Sequence, residues 1–188
     1  FFFIFPCTMK ASPIVVEIKS HPTHVIEFFR CVVHTIIFHR ALGNVRVQDY
    51  VIERLDNFTY ARCNDVTIDT DVERMIEGLR TKIIKTSNTK FTVNVEFREQ
   101  CVNAGWLGTS LIPGDIWETW SIQITLEQSD ELKKNAEEHL RNYVFQIVEL
   151  ISNREEPLPK ITTKSAICYP FVASEPPTPW YSSPRISV

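Results

Sequence analysis

Glycine is scarce. With Gly43, Gly78, Gly105, Gly108 and Gly114 as the only five in 188 residues, the chain has no G-x-G-x-x-G turn, no P-loop and no G-x-S-x-G elbow. Those motifs need glycine for tight turns and close backbone approach, so the chemistry they serve finds no support here. Basic excess is lacking too. Twenty Lys and Arg stand against 23 Asp and Glu, the net charge is -3 and no long basic run occurs, which excludes an electrostatic footprint for nucleic acid or an anionic membrane.

No long hydrophobic run is present either. The apolar opening FFFIF is too short to span a bilayer, and no basic stretch precedes it as a secretory signal requires. Residues 1–11 read as an N-terminal extension, 12–153 as one domain and 154–188 as a proline-rich C-terminal segment. Cys7, Cys31, Cys63, Cys101 and Cys168 are odd in number, scattered and without a C-x-x-C pair, which fits neither a disulfide framework nor a zinc site. A reducing compartment follows, with Cys31 and Cys63 as core thiols. His34 and His39 are five residues apart on a predicted helix, about 140° around it, so they cannot grip one metal from that helix alone. Asp65, Asp69 and Asp71 lack the glycine and distal glutamate of a calcium loop and suit a helix N-terminus better. No H-E-x-x-H occurs. The expectation is a protein that is not an enzyme, with no catalytic residues, metal or cofactor.

What is present is regular patterning. Residues 14–19 read as a strand, and residues 22–42, from Pro22 to Leu42, as a helix apolar on most sides, closed by Gly43. Strands follow at 45–52 and 57–63. The spacing Thr70-Asp71-Val72-Glu73 predicts a capping box opening a second helix to Lys85, with Val72, Ile76, Leu79 and Ile83 inward. Phe91, Val93, Val95 and Phe97 alternate with polar residues, as do Trp120, Ile122, Ile124 and Leu126, predicting two antiparallel strands. A third helix is expected over 130–152, with Ser129 as N-cap and Leu132, Ala136, Leu140, Tyr143, Ile147 and Ile151 on one face. Seven of the eleven prolines then fall between Pro157 and Pro184, predicting a tail that is extended, docked or disordered. The class is α+β, a small antiparallel sheet packed by three helices.

Two features stand apart. NAGWLGTSLIPGDIWETW (103–120) places Trp106 between Gly105 and Gly108 in a connection of about 17 residues, far beyond the usual hairpin loop of roughly 2 to 5. From the residues alone, Trp106 is equally a lid on the core or a projecting aromatic anchor. Phe145 lies on the charged side of the third helix with Lys134, Glu138, Arg141 and Glu149. It is either tolerated exposure or the centre of a docking face.

The blocks VVHTIIFHRALG (32–43), LDNFTYAR (55–62), IPGDIWETWSIQI (112–124) and IVELISNREEPLPKITTKS (147–165), in this order and spacing, resemble the autophagy-related protein 101 family of HORMA-domain subunits. The resemblance implies a HORMA fold of open type, with a C-terminal segment like a safety belt. It also implies a cytoplasmic, non-enzymatic adaptor at the pre-autophagosomal structure. Such an adaptor pairs with the HORMA domain of autophagy-related protein 13 and works with the autophagy-initiation kinase and scaffold subunits. In the family a loop carrying a Trp-x-Phe pair recruits downstream factors, and Trp106 falls where its tryptophan belongs, which favours the projecting anchor. Two residues on stands Gly108, so the second aromatic is missing or supplied by Leu107. The family's dimer assigns the third helix to the interface; the expectation that Phe145, Arg141 and Glu138 make the contact comes from their place on its charged side and not from a family motif. The alternative is a chromosome- or checkpoint-type HORMA adaptor that closes over a partner peptide.

Overall fold

The computed structural model describes residues 12–56, 58–105, 108–155, 157–161 and 168–174, with the backbone alone for 102–105, 108–111 and 113. The alternation in β1 (Ile14–Ser20) sends Val16 and Ile18 inward and leaves Glu17 and Lys19 outside. The chain then enters α1 (Val25–Arg40), in which Phe28, Phe29, Val32, Val33, Ile36 and Ile37 are all buried. A helix apolar on so many sides must be covered by several neighbours. Pro22 lies in the turn before it, so the helix begins three residues later than its punctuation predicts.

The ribbon of β2 (Val47–Ile52) and β3 (Phe58–Cys63) is antiparallel, and its turn places Asp56 at φ 48°, a left-handed conformation that Asp tolerates. The second helix, α2 (Val66–Lys85), starts ahead of the predicted capping box. Asp65 is the N-cap, its carboxylate accepting from the amides of Thr67 and Ile68 at 2.8 and 3.2 Å. Thr70 therefore sits inside the helix, its hydroxyl donating to the Val66 carbonyl, and Glu73 is free to pair across to Arg30 on α1. Ile68, Val72, Met75, Ile76 and Leu79 line its buried face.

Strands β4 (Lys90–Gly105) and β5 (Gly108–Leu126) form the centre of a four-stranded sheet with order β1-β5-β4-β6, where β6 is Phe171–Ser174. The expected antiparallel sheet is in fact mixed, because β1 runs parallel to β5 from Ile14↔Trp120 to Ser20↔Leu126. Most of the domain lies between those two strands in sequence, and a crossover of that length permits parallel pairing. The inward residues Val16, Ile18, Phe91, Val93, Val95, Phe97, Trp120, Ile122 and Ile124 join α1 in one core.

The third predicted helix is divided at Asn135 into α3 (Asp130–Lys134) and α4 (Ala136–Ser152). The architecture is thus a mixed α+β domain, and part of the proline-rich tail is docked as β6, an edge strand on β4.

Candidate interaction site

Two surfaces answer to the residues singled out in the sequence. On α4, Ala136, Leu140 and Ile147 are buried. Tyr143 accepts from the Lys19 amide at 3.0 Å and donates to the Lys19 carbonyl at 3.1 Å, which ties the helix to β1. With that side fixed, the opposite one faces out, and Phe145 stands 65% exposed. Arg141 bonds to Glu137 one turn back, and Glu138 is exposed beside them. Asp56, Phe58 and Thr59 from the β2–β3 ribbon meet Glu137, Arg141, Val144 and Phe145 around a cavity of about 340 Å³. Sequence reasoning missed the ribbon's share. Its only signal was Phe58 directly after a polar turn, which does not say which helix it approaches.

The second surface replaces the long loop. Residues 98–105 and 108–116 continue β4 and β5 as a two-stranded arm, in register to Gly105↔Gly108. The arm extends past the last partners of β1 and β6, so among the described residues its strands pair only with each other. It escapes a search for alternation because none of its described side chains joins the core, and its polar, proline and glycine residues carry low strand propensity. Trp106 and Leu107 lie outside the described residues.

At the root of the arm the register slips twice. Phe97 faces Glu118 while Arg98 faces Ile116, which leaves Trp117 as an extra residue on β5, and Gly114 and Asp115 together oppose Glu99. Gly114 lets the strands close there, since a Cβ would lie 2.7 Å from the Cys101 sulfur and 3.2 Å from Glu99 Cβ and would push one of them aside. Beneath the bulge, the Glu118 carboxylate is 2% exposed and accepts from Arg40 Nε and Nη2 at 2.8 and 2.9 Å. It also accepts from Trp120 Nε1 and ion-pairs with Arg154 just beyond α4. A carboxylate so deeply buried stays charged only through such pairing.

Burial also sets the state of other polar groups among the described residues. His34 is buried between α1 and β3 with Asp69 4.0 Å away; burial, then the charges of Arg62 and Arg30, push its pKa down to about 4, so it is neutral at pH 7. Burial pushes the Cys31 thiol up to about 12 and Cys63 up to about 11, which keeps both protonated and unreactive. No group of three metal-ligating side chains occurs among the described residues, and none of their helices is long and apolar enough to cross a membrane.

Fold and surface together define the class: a mixed α+β domain with a two-stranded arm and an outward aromatic patch on its last long helix. A family model described as autophagy-related protein 101 matches residues 17–165. Proteins of that name in Arabidopsis thaliana, Xenopus tropicalis and Homo sapiens are 26%, 25% and 23% identical to it. The alignments cover 85% of this chain and 84%, 80% and 80% of those relatives. The chain belongs to the autophagy-related protein 101 family, which gives it a role in autophagy.

Proposed function

We propose that the chain is a non-enzymatic HORMA adaptor of the open type, comprising residues 12–153 with a belt-like segment after them. It pairs through α4 with a second HORMA domain, that of autophagy-related protein 13, and presents Trp106 and Leu107 at the end of the arm to a downstream factor. The observation that carries the reading is the arm. The paired two-stranded extension reaches past its sheet neighbours, and none of its described side chains joins the core, which suits an element whose purpose is contact. The α4 patch supports the pairing half: an exposed Phe145 beside a cavity lined also by Asp56, Glu137 and Arg141, with Glu138 exposed on the same helix, has an apolar centre and a polar rim. The buried thiols and neutral His34 add no nucleophile or base to either surface.

The test is affinity purification of the full chain from cells, with identification of stoichiometric partners. Recovery of the autophagy-related protein 13 HORMA domain together with initiation-kinase and scaffold subunits supports the reading. Their absence, with the chain folded and expressed, overturns it.

A further inference from the structure

The arm is not free at its base. Three consecutive residues of the C-terminal segment touch its root, each in a different way. Tyr169, 2% exposed, lays its ring 4.8 Å from that of Trp117, the bulged residue, and its hydroxyl donates to the Pro159 carbonyl. The Pro170 carbonyl accepts from the Arg98 amide at 2.9 Å, at the first register slip on the opposite strand. Phe171 opens β6 directly opposite Phe97, with the two rings 6.0 Å apart. Below them Arg154, which begins the same C-terminal stretch, ion-pairs with Glu118 and lays its guanidinium 5.2 Å from the Trp117 ring.

A bulge bends and twists a strand, so the direction of the arm is set where its register slips. Both sides of that slip are held by the segment at 168–174. We propose that this segment is the positioning element of the arm: docked, it fixes the bend at Trp117 and Arg98, and withdrawn, it lets the arm swing and fray from its root. Whatever engages or displaces the C-terminal segment then governs how the arm is presented. The proposal rests on the reading of the arm as a contact element, but its test requires no partner.

The mechanism requires the segment and the arm root to open as one unit, while the centre of the sheet, held by β1 and the core, opens separately. Native-state hydrogen exchange on the free full-length chain reads this directly. Backbone amides at 168–174 and at the root, 98–101 and 114–117, are expected to share one protection and one denaturant dependence, with 120–126 at least tenfold better protected. Tyr169→Ala should speed exchange of both sets about tenfold and leave 120–126 unchanged, whereas Tyr169→Phe, which keeps the ring, should stay within about twofold of wild type. Segment amides that exchange fast while the root stays protected overturn the proposal. So does a parallel rise at 120–126, which makes the segment a support of the whole domain. If Tyr169→Ala does not fold, the wild-type comparison decides alone. Because all of this is measured without a partner, a failed purification of autophagy subunits leaves the outcome intact.

Discussion

Among single residues, His34 makes the sharpest claim. Its ring is 2% exposed, and burial followed by the nearby arginines lowers its pKa to about 4 from the ordinary 6.5. A group with a depressed pKa of this kind leaves the unfolded chain to take up the proton first. Stability is therefore complete above pH 6.5, declines as pH falls towards 4 and is flat below that, a total of about 3 kcal/mol. Relative to a folded His34→Gln variant, which cannot titrate, wild type should lose about 2 kcal/mol between pH 7 and 5 in urea denaturation. Equal losses in the two proteins would show that the imidazole is solvated after all. Glu118 carries a different penalty. Replacing it with Gln leaves Arg40, whose side chain is 4% exposed, facing a neutral amide in the interior, and breaking a buried ion pair by removing one partner costs about 3 to 5 kcal/mol. Glu118→Gln should lower the denaturation midpoint accordingly, and a change below about 1 kcal/mol would contradict the burial of that carboxylate.

Elements show where local signals suffice and where they do not. At the start of α2 two caps compete within a few residues, Asp65 and the Thr70–Glu73 spacing. The Asp65 carboxylate reaches two free amides, while Glu73 is drawn across to Arg30 with Glu27. Asp65→Ala should cost about 1 kcal/mol and Thr70→Ala clearly less, measured as shifts in chemical denaturation. The strands β1, β4 and β5 near the core were legible because one face is buried and alternation records it. So was the amphipathic α4, with Ser129 capping α3 ahead of it. The arm was not legible, since period-two patterning reports a core and none of the described side chains of 98–116 joins it. Nor was the mixed pairing of β1, because strand order is a tertiary choice that spacing along the chain does not encode. The Arg40–Glu118–Arg154 cluster joins residues far apart in sequence, and no local motif announces it.

At the scale of the whole molecule, the two candidate surfaces sit on different elements, α4 with the β2–β3 turn and the end of the β4–β5 arm. Their energetics should separate accordingly, because substitutions without shared partners act independently. Phe145, 65% exposed, gives up little packing when replaced, so Phe145→Asp should change stability by less than about 0.5 kcal/mol. In the proposed interface it would place a carboxylate where Asp56 and Glu137 already line the cavity, and a central aromatic contact is worth about 2 kcal/mol or more, so affinity for the proposed partner HORMA domain should fall about thirtyfold or further. Trp106→Ala should do the reverse: leave that affinity and the stability unchanged while cutting recovery of downstream factors, since a truncated core tryptophan would instead cost about 3 to 5 kcal/mol. The double variant then carries both defects at their single-variant sizes. Titration calorimetry for the first contact, denaturation for stability and co-purification for the second contact measure the three quantities independently. A Trp106→Ala protein that is several kcal/mol less stable would make the indole a core residue and remove the recruiting role from the arm.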